Sequence, residues 1–338
     1  MPAGPITVAT YHRYGPPSVV ALEQRPAPVC GPRDVLIDVH FTTVSSGDAR
    51  VRAMRAPRGF GLIIRLVYGI FRPRRGVLGT ELSGIVADIG ADVTLFLPGD
   101  AVVAFTGARM RAHATQVVVR EASAIVKAPG NVPLDVAAAM SFGGTTALHF
   151  LRDKAKLQVG ESVLVIGASG AVGSAAVQMA RAIGANVTGV CSGKNTALVE
   201  SLGAKAIDYR NHDVTRLPDR YDVIFDTTGH VSFASHQHLL TPTGRMALIA
   251  ADLPQMLGTL RAKGRALIGP APESRDLLQA VCDMVEAGDF TPHIGHRFPF
   301  SGIAAAHARV DTGHKRGSVV VVVDPAQAAA LSPETAKP

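Results

Sequence analysis

A chain of 338 residues has room for two domains at roughly 100–200 residues each. With 47% hydrophobic and 18% charged residues it is neither disordered, collagen-like nor a coiled coil. Three dispersed cysteines (Cys30, Cys191 and Cys282), with no C-x-x-C pair, argue against a disulfide scaffold and a cysteine-based structural zinc site.

The formal charge of +7 is concentrated at Arg50–Arg75, where eight arginines flank an apolar stretch. A surface helix or lid with solvated arginines is the expected reading, with nucleic-acid or membrane-surface contact as the alternative. The segment has few aromatics and no RNA-binding signature, so a nucleic-acid partner is not expected. The Met1–Gly4 start shows no basic-then-apolar leader, and Gly61–Phe71 is too short to span a bilayer and contains Arg65. A reducing cytoplasmic setting without a membrane span is expected.

Residues 1–128 read as short strands and turns: Val35–Phe41, then Leu82–Gly90 ending in a glycine turn, then Leu97-Pro-Gly-Asp leading into Ala101–Phe105. This is the punctuation of an antiparallel barrel or sandwich. From 129 to 265 strands alternate with helices. Ser162–Ile166 is a buried strand, and Val172, Ala176, Met179, Ala180 and Ile183 then recur at helical spacing up to Gly184. Further strands are expected at Asn186–Cys191, Tyr221–Asp226 and Gly244–Ala250, with a helix at Asn195–Leu202. Such alternation requires a parallel sheet with right-handed crossovers. In 266–338, helices at Ser274–Ala287 and Ser301–Val310 precede the strand Ser318–Val323, which is expected to rejoin the first part. The residues after Asp324 read as a loose tail.

The sharpest motif is Gly167-Ala-Ser-Gly170-Ala-Val-Gly173, placed after a buried strand and opening a helix. That context belongs to a dinucleotide fingerprint. Gly167 opens the turn and Gly170 admits the pyrophosphate to the backbone. Gly173 allows close helix–strand packing, while the amides from Ser169 through Ala171 and Val172 face the phosphates. The following strand ends Cys191-Ser-Gly-Lys194, without the acid that would hold a ribose 2′-hydroxyl. A hydroxyl and an ammonium suit a 2′-phosphate, which favours NADPH over NADH.

The chain resembles the medium-chain dehydrogenase/reductase superfamily, in particular its zinc-free quinone oxidoreductase (zeta-crystallin-like) branch. The resemblance runs through Val44–Asp48, Leu78–Val86, Pro98–Val102, Ser141–Leu148, the glycine motif, Ser201–Ala204, Tyr221–Asp226 and Gly313–Val319. It implies an α/β fold: a GroES-like, mostly-β catalytic domain (1–128 and 266–338) and a doubly wound Rossmann NADP-binding domain (129–265). It further implies that Ser192, Lys194 and Tyr209 hold the 2′-phosphate. Thr146 and the backbone at Thr227 and Ile249 would line ribose and nicotinamide, with Ser318 in a cofactor-contacting loop. Where zinc alcohol dehydrogenases carry their ligands this chain has Ser45, Thr80 and Phe142, which cannot build a tetrahedral N/S site. No metal is therefore expected. A homodimer through the sheet edge near Ala266–Gly269 is expected by analogy.

These features point to hydride transfer from NADPH to a quinone or an α,β-unsaturated carbonyl, with the protein positioning a hydrophobic acceptor. The alternatives are an acyl or natural-product enoyl reductase, or an NADPH-binding sensor or RNA-associated protein with little turnover. Ser45, Ser46 and His113 are the candidate catalytic donors, the two serines having local backbone capping as a rival role. Asp48 and Glu81 are expected to be structural, His236 and His238 to lie on a surface helix, and Cys282 in a helix core face.

Overall fold

The computed structural model describes residues 4–328. β1 (Ile6–Thr10) and β2 (Ala21–Arg25) form an antiparallel ribbon. β3 (Asp34–Thr43) alternates buried and half-buried side chains along most of its length, as a strand with one face on a core must. After it come two helices, α1 (Ser46–Arg52) and α2 (Gly61–Tyr68). β4 (Glu81–Ile89), β5 (Ala101–Phe105), β6 (Gln116–Arg120) and β7 (Ile125–Lys127) complete the first run of strands. α3 (Leu134–Ala138) and α4 (Ser141–Leu148) then lead into the strand–helix region.

That region contains β8 (Ser162–Ile166), α5 (Ala171–Ile183), β9 (Asn186–Cys191), α6 (Thr196–Ser201), β10 (Lys205–Asp208) and β11 (Tyr221–Asp226). It continues through α7 (Phe233–His236), β12 (Leu240–Leu248), α8 (Leu253–Gly258), β13 (Ala266–Leu267) and α9 (Arg275–Glu286). All six strands are parallel, in the order β10-β9-β8-β11-β12-β13. In this doubly wound order the chain reverses between β8 and β11, and ligands bind at the carboxyl ends of strands flanking such a switch.

The chain returns through β14 (Ile294–Pro299), α10 (Ile303–Asp311) and β15 (Ser318–Val322), followed by the helical turn α11 (Pro325–Ala328). β15 pairs antiparallel with β3, closing a seven-stranded sheet from both ends of the sequence. The fold is the expected pairing of a GroES-like domain with a Rossmann-type sheet.

The expected handover at residue 266 comes later in the structure. Ala266–Leu267 is the outermost strand of the parallel sheet, and Leu277, Leu278, Val281, Cys282 and Val285 of α9 lie in a core shared by Val163, Val165 and Phe225 of that sheet and by Val103 and Val126 of the catalytic sheet. The parallel sheet therefore runs on to Leu267, α9 packs between the two units, with Cys282 Sγ on the Lys127 carbonyl of β7, and the chain rejoins the catalytic sheet at Ile294. Of the expected tail, Pro325–Ala328 is helical and residues 329–338 lie outside the described residues, as do residues 1–3.

Candidate active site

A cleft of about 660 Å³ runs between the two units, over the carboxyl ends of β8, β9 and β11. Its floor is the glycine turn. Gly167 has φ +84°, and a Cβ there would meet Thr227 Oγ1 at 2.3 Å. A Cβ on Gly173 would sit 2.1 Å from the Gly167 carbonyl, so α5 can approach β8 this closely only without a side chain. Gly170 is the N-cap of α5 and supplies no side-chain cap, leaving the first-turn amides of Ala171 and Val172 facing the cleft.

The corner beyond β9 is built for an anion. Asn195 is buried and donates through Nδ2 to Ser169 Oγ at 2.9 Å and to Ser192 Oγ at 3.3 Å. Both serines therefore keep their hydroxyl protons to donate outward. Lys194 and Tyr209, both exposed, complete the corner. An uncapped helix start, an open glycine and this hydroxyl–ammonium corner fit a dinucleotide carrying an extra phosphate.

The opposite end is drawn from separate loops: Ser46 and Arg50 of α1, Phe142 of α4, and Lys315 before β15. Lys315 donates from Nζ to the Gly317 carbonyl at 2.8 Å. Enclosure pushes its ammonium down to about 8, against the opposing pull of Glu81. Glu81 is buried behind this end, accepting from the Phe142 amide at 2.6 Å and from the Thr43 hydroxyl. Burial pushes its carboxyl up to about 7. The two units are joined here, because the Gly317 amide donates to the Ser169 carbonyl at 2.8 Å.

Six of the expected residues lie outside the cleft lining. Ser45 is buried as the N-cap of α1, its hydroxyl donating to Asp48 Oδ2 at 2.6 Å and accepting from the Asp48 amide. That is the rival capping role. His113 is fully buried, its Nε2 on the Thr43 carbonyl at 2.9 Å and its ring edge-on to His307, and burial holds it below the usual histidine range. An enclosed imidazole in that position does not face an acceptor. Thr146 turns its hydroxyl to the Phe142 carbonyl, Ile249 serves through its amide on Asp226, and Ser318 is buried under the Lys315 loop. Gly173 acts through packing. The other expected residues (Ser46, Gly167, Ser169, Gly170, Ala171, Val172, Ser192, Lys194, Tyr209 and Thr227) line the cleft.

A family model described as the alcohol dehydrogenase GroES-like domain matches residues 31–157, and one described as zinc-binding dehydrogenase matches residues 202–321. The quinone oxidoreductase of Pseudomonas aeruginosa is 29% identical over 316 residues, spanning 86% of this chain and 97% of that protein. The bovine mitochondrial NAD(P)H oxidoreductase RTN4IP1 is 27% identical over 325 residues, spanning 86% and 82%. The structure of the quinone oxidoreductase from Coxiella burnetii superimposes with a TM-score of 0.84 at 25% identity, covering 95% of this chain and all of the other. The chain belongs to the medium-chain dehydrogenase/reductase superfamily, in its quinone oxidoreductase branch.

It is accordingly an NAD(P)H oxidoreductase. At the positions where zinc enzymes of the superfamily bind metal, Ser45 is committed to its capping box, Thr80 is buried with an unpartnered Oγ1, and Phe142 presents a ring to the cleft. Asp48 accepts from the Ser45 and Gly79 amides and, like Glu81, is satisfied by backbone and hydroxyl donors. His236 lines the cleft and bonds Ser235, whereas His238 bonds the Thr215 carbonyl, so the two rings diverge. Cys282 is buried in α9.

Asn195, which holds two cleft serines, is not singled out by the sequence, and Lys315 is marked there only as part of the Lys315–Ser318 loop with a cofactor contact. Asn195 sits one residue after Lys194 and bonds Ser169 and Ser192, and its signal was a polar side chain opening a helix beside the second strand of the fingerprint. Lys315 lay within the loop singled out for Ser318, but burial beside Glu81 is a long-range property with no local signal.

Proposed function

We propose that this oxidoreductase uses NADPH, without zinc, to reduce a quinone or an activated enone, with Lys315 as the proton donor. Bound at the glycine turn, the cofactor supplies hydride. The Ser192–Lys194–Tyr209 corner selects the 2′-phosphate, with Asn195 aiming the hydroxyls, and Thr227 and Ser46 bound the path toward the acceptor. Phe142 offers a flat apolar wall to a conjugated ring. Hydride addition leaves negative charge on the acceptor oxygen, where an ammonium is the matching donor. Lys315 Nζ gives up one proton to that oxygen and recovers it from water, so the acceptor gains two electrons and two protons in all.

The observation that carries this reading is the enclosed ammonium of Lys315 at the acceptor end, in the same cleft as the Phe142 ring. The hydroxyl–phenyl composition of the zinc-ligand positions supports zinc independence. A homodimer is proposed through the outer edge of β13.

The deciding assay follows loss of NADPH absorbance with ortho- and para-quinones beside 2-alkenones, with NADH in parallel and after chelation. Chelator-resistant, NADPH-selective turnover is expected, and the faster acceptor class names the reaction. Loss of activity on chelation would overturn the zinc-free reading. Tight NADPH binding without turnover would move the protein to the sensor class.

A further inference from the structure

The 32 residues between Asp48 and Glu81 contain eight arginines and no acid. Within them α2 buries no residue. Leu62, Ile63, Leu66 and Val67 share its outer face, and Ile70 and Phe71 extend it, with Leu62 69% and Phe71 93% exposed. Eight helical residues with nothing packed on that face are marginal in water, and a contiguous apolar face of this kind marks an interaction site. The segment is tethered inward. The Tyr14 hydroxyl donates to the Gly69 carbonyl at 2.8 Å, Tyr68 packs on the catalytic core, and the Leu253 amide donates to the Arg58 carbonyl at 2.9 Å. Arg58, Arg72 and Arg74 are exposed in the same segment, as is Arg65 on the opposite side of α2, and none is in an ion pair among the described residues.

We infer that this segment docks the protein on an anionic lipid surface, with the apolar face of α2 and Phe71 entering the acyl boundary and the arginines on the headgroups. Charge decides between the occupants. A second copy meeting this face about a two-fold axis would bring these guanidinium groups against one another. A nucleic acid would pair the arginines but leave four aliphatic side chains and Phe71 in water. A negatively charged bilayer surface satisfies both halves, each arginine near it adding about fivefold in affinity. The inference does not depend on which acceptor the enzyme reduces.

The chain has no tryptophan, so Phe71→Trp places a single reporter at the apex. The full-length protein is floated with phosphatidylcholine vesicles and with vesicles containing roughly one-third phosphatidylglycerol. Expected are binding at least about tenfold tighter to the anionic vesicles, a blue shift of the reporter only with them, and a loss of about tenfold or more in both L66E/F71E and R58E/R72E/R74E. Unchanged thermal melts of both variants show that the loss is not unfolding. Absence of flotation, or flotation indifferent to L66E/F71E, overturns the inference. So does a mass in solution that falls from dimer to monomer in L66E/F71E, or binding of single-stranded RNA that depends on the arginines while vesicles are ignored.

Discussion

The two ends of the cleft are built by opposite strategies. The phosphate end is local: the turn after β8 and the residues from Ser192 to Asn195 come from two adjacent strands, and their geometry is fixed by glycines and one asparagine. The acceptor end is assembled from α1, α4 and the loop before β15, segments far apart in the chain, and only the closed sheet brings them together. The proposed cofactor site thus rests on short-range backbone chemistry, whereas the proposed proton donor, Lys315, depends on the tertiary arrangement.

The largest expected effect comes from breaking the local end. Gly173→Val forces a side chain into the 2.1 Å approach to the Gly167 carbonyl, and NADPH affinity should fall by more than about 100-fold, roughly 2.7 kcal/mol, in a fluorescence titration. Lys194→Glu should lower the NADPH-to-NADH ratio of kcat/KM by about tenfold to a hundredfold, because it places a carboxylate against the extra phosphate. An unchanged ratio would remove Lys194 from the selecting corner.

The acceptor end should respond in kcat rather than in cofactor binding. Lys315→Met should reduce kcat by about tenfold or more while leaving the NADPH Kd within about twofold. The donor is competent only when protonated, and burial brings its pKa down to about 8. The wild-type rate should therefore fall as pH rises through about 8, and that decline should vanish in Lys315→Met. A pH profile identical in both proteins would exclude Lys315 as the donor.

The smallest effect tests the core behind α1. His307 is buried with neither ring nitrogen partnered, facing His113 and Arg52, and its pKa is held well below 6.5. The unfolded chain takes up this proton below pH 6.5 and the folded one does not, so the neutral ring's contribution is present above that pH and is lost as pH falls. His307→Leu should flatten this loss between pH 7 and 5 and add about 1 kcal/mol at low pH, read from denaturant midpoints. Glu81 works in the opposite sense. Its raised pKa favours the folded state below 4.5, and this contribution disappears as pH rises through about 7.

What was legible in the sequence follows the same division. The strand–glycine–helix order, the helix ending at Gly184 and the missing acid after Cys191 are short-range signals; the structure ends α5 at Gly184 and places the glycine turn and Ser192–Asn195 around the cleft floor. A helix starting at Ser274 was legible too, but not what it packs on, since apolar helix faces do not say which elements they meet. Ser45 and His113 sit in segments that resemble the active-site loops of the family. A hydroxyl three residues before an aspartate closes a capping box, however, and an imidazole enclosed by β3 and α10 has no path to the cleft. Lys315 shows the converse, because Glu81, the charge that opposes the effect of its burial, lies more than two hundred residues away.

The bond from the Gly317 amide to the Ser169 carbonyl makes the cleft readable by hydrogen exchange. It is formed only while the loop carrying Lys315 rests on the glycine turn, so Gly317 exchanges when the units part and is protected when they close. Its exchange rate in the presence of cofactor, acceptor or both would therefore report the order in which the two ligands shut the enzyme, without a chemical turnover having to occur.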